Sequence, residues 1–151
     1  MNCRRTGILL STIVGMAFTG CTGGFEKNWR GAASHVSRDP YEGRWEGKWR
    51  SQKHRNGEGR LRCILTSEGP NRYQAKFKAD WMIFSSTYTT PLDVVRGRRK
   101  ITFRGRKDLG ALYGGVYTFE GRATPGQFTA AYDSSYDTGT FEMGKVSEVS
   151  R

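Results

Sequence analysis

From Tyr41 onward the chain alternates apolar and polar residues with a period of two, in segment after segment. Trp45, Gly47 and Trp49 share one parity, as do Leu61, Cys63 and Leu65, then Tyr73, Ala75, Phe77 and Ala79. Between them stand Arg44, Glu46, Lys48, Arg60, Arg62, Gln74, Lys76 and Lys78. Side chains that point alternately to two faces predict strands with one buried and one wet side. The parity returns at Ile101 and Phe103, at Gly115, Tyr117 and Phe119, at Phe128, Ala130 and Tyr132, and at Gly139, Phe141 and Met143. Turn-forming residues separate the runs: RNGE at 55–58, SEGPN at 67–71, RGRR at 96–99, TPG at 124–126 and SYDTG at 135–139. Pro70, Pro91 and Pro125 are expected at breaks between strands.

The connections are too short for crossover helices, so consecutive strands should pair antiparallel. The pattern predicts an all-β meander of about eight or nine strands over 41–146. Such a meander loses its exposed edges by closing into a small up-and-down barrel. A two-sheet sandwich carries the same alternation and is the alternative. A Gly-x-aromatic step recurs at Gly43, Gly47, Gly115 and Gly139. Inside a small barrel, glycine permits the wall to bend while the aromatic two residues on fills the volume. DWMIFSS at 80–86 interrupts the alternation; a bulge that re-aims its side chains is expected there, the alternative being a small apolar patch for a partner, the membrane or the tether.

Gly43-x-Trp45 on the first strand resembles the Gly-x-Trp that opens many lipocalins of the calycin superfamily. The resemblance implies a barrel. The chain departs from lipocalins in having only SEVSR, the 147–151 tail, where they carry a C-terminal helix.

The N-terminus reads differently. Arg4 and Arg5 precede an apolar run from Gly7 to Phe18, too short for a stop-transfer span and suited to a secretory signal. FTGC at 18–21 resembles the bacterial lipoprotein signal (lipobox), with Phe18 where that family mostly has leucine. The resemblance implies that residues 1–20 are removed and that Cys21 takes lipid, diacylglycerol and a fatty acyl chain such as palmitate. The membrane would then be the chain's first partner. Thr22 is not the aspartate that retains some lipoproteins at an inner membrane, so an outer-membrane destination is implied in a Gram-negative source. Residues 21–40 show no sustained period and predict a flexible tether, about 60 Å long if fully extended, in which Phe25 and Trp29 read as two scattered aromatics, the alternatives being that they dock on the domain or lie on the membrane.

The whole chain carries 25 basic and 14 acidic residues, a net charge of +11. Loss of residues 1–20 leaves a net of +9, which suits anionic lipids, anionic envelope polymers or nucleic acid. No nucleic-acid-binding motif accompanies it. Seven basic residues, Arg96, Arg98, Arg99, Lys100, Arg104, Arg106 and Lys107, fall within twelve positions around one turn. Arginine forks there would suit phosphate or carboxylate groups.

Nothing in the sequence points to catalysis, a metal or a cofactor. His35 and His54 stand alone, and Cys63, in apolar register, reads as a buried hydrophobe with no neighbour in sequence to activate its thiol. Asp133, Ser135 and Asp137 alternate as in a calcium loop, but Thr138 replaces the turn glycine, so a turn built on Asx hydrogen bonds is expected. Two function classes stay open. One is an envelope interaction module that meets an anionic component or a partner protein through its basic hairpin or outer surface. The other is a barrel that holds a small apolar ligand among Trp45, Trp49, Tyr73, Tyr117 and Tyr132.

Overall fold

The computed structural model describes residues 22–147. The expected signal peptide at 1–20, Cys21 and all but the first residue of the 147–151 tail lie outside them. Eight antiparallel strands follow one another: β1 (Gly43–Ser51), β2 (Glu58–Gly69), β3 (Arg72–Trp81), β4 (Phe84–Arg96), β5 (Ile101–Asp108), β6 (Val116–Ala123), β7 (Gln127–Asp133) and β8 (Thr138–Lys145). Each pairs with the next, and β8 pairs with β1, so the sheet is a closed up-and-down barrel. The sandwich alternative is thereby excluded.

Inside, Trp45, Leu61, Cys63, Tyr73, Phe77, Phe103, Phe119, Phe128 and Phe141 form one continuous core. Phe77 touches four rings, those of Tyr88, Phe119, Phe128 and Phe141, at centroid distances of 5.3 to 6.4 Å. Glycine on the inward face lets the first and last strands meet. A Cβ at Gly47 would lie 1.9 Å from the Glu142 carbonyl oxygen, and one at Gly139 would lie 2.0 Å from that of Arg50. Pro91, expected at a break, sits inside β4, and pairing with β5 begins one residue later at Leu92↔Gly105. A residue without an N–H cannot donate to the ladder, so pairing starts beyond it.

Residues 22–40 are not a free tether. Thr22–Ala32 form a helix, α1, against the outer faces of β1 to β3. Its sequence holds three glycines and only eleven residues, too few to be stable alone, so docking must supply the stability. Phe25 and Trp29, one turn apart, stack on each other at 5.8 Å, and Phe25 is fully buried. The guanidinium of Arg62 lies over both rings, at 5.2 and 5.3 Å. Glu26 accepts two hydrogen bonds from Arg62, at 2.7 and 3.1 Å, and one from Lys78 Nζ at 2.8 Å. These bonds hold the Glu26 carboxyl at about 2, well below its ordinary value of 4.5, so the ion pair survives far into the acid range.

Beyond α1 the chain plugs one end of the barrel. Asp39 accepts hydrogen bonds from the Tyr73 hydroxyl, the Tyr41 amide and Arg96, and Tyr41 in turn gives its carbonyl to the Trp45 indole N–H at 3.0 Å. All eight strands, their closure into a barrel and a continuous core under them lie within 22–147, so a chain that starts at Thr22 keeps the whole barrel.

Candidate functional site

The two ends of the barrel differ. At one end lie the β2–β3 turn, the β6–β7 turn and the β4–β5 turn with its basic residues. At the other lie the β1–β2 loop, the β3–β4 tip, the β5–β6 connection and the β7–β8 turn.

Of the seven clustered basic residues, the six expected to bind anions, Arg96, Arg98, Arg99, Lys100, Arg104 and Arg106, separate into two kinds. Arg96 is part of the plug: its guanidinium binds Asp39 Oδ2 at 3.0 Å, the Tyr73 hydroxyl at 2.7 Å and the Pro70 carbonyl at 2.6 Å. Burial pushes the Asp39 carboxyl up, and the hydrogen bonds from Tyr73, Tyr41 and Arg96 more than offset it, so its pKa lies below the ordinary carboxylate value. The same hydrogen bond to Asp39 raises the pKa of Arg96. Arg104 pairs with Glu120 across the sheet at 3.1 Å, fully in solvent. Arg98, Arg99, Lys100 and Arg106 are exposed and have no ion-pair partner among the described residues. The first three cap the β4–β5 turn, which is closed by the Gly97 amide donating to the Lys100 carbonyl at 2.8 Å.

The five aromatic residues predicted around a ligand do not form one site. Trp45 and Tyr73 are fully buried at the plugged end. Trp49, Tyr117 and Tyr132 gather at the other. Trp49 is half-buried and donates its indole N–H to the Asp80 carbonyl at 3.1 Å. Tyr132 packs on Phe141 at 5.0 Å and on Tyr117 at 6.0 Å, and gives its hydroxyl to Asp137 at 2.8 Å. Burial, then this bond, raises the Tyr132 pKa well above the ordinary value, and burial followed by the bond to Asp39 does the same for Tyr73. Two open, shallow clefts lie on the outer face, one beside Lys100 and Arg122, the other beside Asp93 and Arg104.

Of the two acidic residues in the DSSYDTG turn, Asp133 is exposed and Asp137 is bonded internally. Asp137 accepts from Tyr132 and, at 2.6 Å, from the Ser51 hydroxyl, while the Ser134 hydroxyl receives the Asp137 amide at 2.9 Å. Among the described residues no three His, Cys, Asp or Glu side chains stand together as metal ligands, and no helix is long and apolar enough to cross a membrane. Cys63 is buried in the core, which pushes its thiol well above the ordinary pKa. Both histidines are exposed, His54 with its ring against Tyr136 at 5.2 Å.

Docking of Phe25 and Trp29 was only an alternative to a free tether in the sequence, and neither the α1 helix nor the Glu26 ion pairs were expected. The one signal that could have found them was Phe25 and Trp29 four residues apart with Glu26 beside them. No protein-family model, curated protein or solved structure matches the chain.

Proposed function

We propose that this chain is an exported bacterial lipoprotein, anchored in the cell envelope by lipid on Cys21, that works by binding and not by catalysis. In this reading the β4–β5 turn holds an anionic polymer of the envelope, with the barrel as its rigid mount. The observation that carries the reading is the contrast along the basic run. Arg96 and Arg104 have partners, whereas Arg98, Arg99 and Lys100 are left free together on one turn. Free guanidinium groups offer planar forks to phosphate or carboxylate, and a rigid turn holds several of them at fixed spacing. Binding without chemistry agrees with a Cys63 thiol kept protonated by burial and with solitary exposed histidines.

Changing Arg98 and Arg99 to glutamine should weaken association with isolated envelope polymer several-fold and flatten its salt dependence, because fewer counterions are displaced. The unfolding midpoint should move by less than the equivalent of about 0.5 kcal/mol, since these charges make no contacts. Arg96 is unsuitable for this test because removing it would unseat Asp39 and Tyr73. Association that keeps its strength and its salt dependence in the double variant would overturn the reading. Capture of an acidic protein in place of polymer would move the same turn to a different partner.

A further inference from the structure

Among the described residues, exposed large apolar side chains gather at the end of the barrel away from the basic turn. β3 and β4 pair without a break from Arg72↔Asp93 to Trp81↔Phe84, joined by Met82 and Ile83 alone. The expected bulge is absent. β2 follows β3 only as far as Ala79, and β5 joins β4 only from Leu92, so the hairpin projects past both neighbours as a two-stranded ribbon. At its tip Met82 is 83 % exposed and Ile83 91 % exposed, with Trp81 and Phe84 stacked at 6.4 Å just behind them. Met82 has a φ of 51°, the left-handed region in which a bulky side chain is strained and glycine is preferred. An apolar residue is therefore held in solvent at a position where both solubility and backbone geometry favour another. Leu112, 95 % exposed, adds a further apolar side chain at the same end.

The course of α1 relates this end to the rest of the chain. Glu26 is level with Lys78 near the tip end of β3, Trp29 lies under Arg44 near the start of β1, and Asp39 reaches Tyr73 near the start of β3. α1 thus runs away from the tip, and its first residue, Thr22, faces the tip end. In the proposed mature chain Cys21 directly precedes Thr22, so the residue expected to carry lipid joins α1 at the end where the tip projects.

We propose that the β3–β4 tip is a bilayer anchor, with Trp81, Met82, Ile83 and Phe84 entering the boundary between headgroups and acyl chains. A convex ribbon needs a complementary pocket to bind a protein, whereas a fluid bilayer closes around it, and tryptophan is suited to the interface. The charged groups of this end, among them Lys53, Arg55, Asp80 and Asp108, are of both signs, so the attachment is apolar and neutral lipid suffices. The consequence is orientation. β4 has thirteen residues, and at about 3.3 Å per residue and a tilt near 40° it lifts the basic turn about 30 Å from the membrane.

The proposal adds to the function above without resting on lipid at Cys21, because it is tested on the chain from Thr22 to Arg151. That chain should co-sediment with neutral phosphatidylcholine vesicles independently of salt. Vesicles brominated on their acyl chains should quench its tryptophan emission, and Trp81→Phe should abolish most of the quenching while retaining most of the binding. Met82→Gly combined with Ile83→Ser should lower partitioning at least about tenfold, the loss expected for two apolar side chains. Met82→Gly alone relieves the positive φ, so its unfolding midpoint should not fall, and weakened binding by this variant cannot be ascribed to unfolding. Absence of vesicle binding, binding unchanged by the tip variants, or a tip-dependent dimer in place of vesicle binding would each overturn the proposal.

Discussion

Gly47→Ala should cost the barrel about 3 kcal/mol, a large part of the 5–15 kcal/mol that holds a typical domain together. The added methyl would meet backbone on β8: the Glu142 carbonyl oxygen at 1.9 Å and Met143 Cα at 2.7 Å. Neither atom belongs to a side chain that can rotate away, so the β1–β8 seam must open, and that seam is what closes the barrel. Gly31→Ala is the matching control. Nothing lies within 4 Å of its new Cβ, and it sits in α1, where alanine is favoured over glycine by about 1 kcal/mol. In urea unfolding the first variant should shift the midpoint down strongly and the second should leave it unchanged or raise it. Equal midpoints for wild type and Gly47→Ala would mean that β1 and β8 do not meet as described.

Phe77→Ala should lower stability by about 3–5 kcal/mol through loss of burial and the void that remains. Phe77 is 1 % exposed and stands at the centre of four other rings, so no single neighbour can fill its place. The variant also separates the two readings of the interior. If the aromatics serve as packing, wild type should give no saturable signal with an apolar fluorophore, and Phe77→Ala, if it stays folded, should create a site for one. Saturable binding by wild type, weakened by the substitution, would instead make the interior a ligand site.

The barrel was legible because its signals are local. Period-two alternation assigns each strand a face, short turns force neighbours to pair, and Gly-x-aromatic steps mark where the wall bends, as Gly47 and Gly139 do. Docking of α1 was not legible because it depends on residues far apart in sequence. Arg62 and Lys78 read as outward, solvated positions, and it is the β2–β3 register that sets them side by side to receive Glu26 and Phe25. The basic run likewise read as one cluster. Its division into a structural Arg96 and a free turn needed the location of Asp39, a residue of the segment expected to be a tether. At the β3–β4 tip the sequence marked the anomaly, four apolar residues in succession, while their exposure followed from the overhang of one hairpin beyond its neighbours.

Attachment to a membrane through Cys21 is tested most directly by labelling the chain with fatty acid. The full chain, expressed in a bacterial host grown with labelled palmitate, should acquire label, lose residues 1–20 and sediment with membranes. Cys21→Ser should acquire none and remain unprocessed or soluble. A wild-type chain that takes up no label would contradict lipid at Cys21 and with it the proposed tethered function.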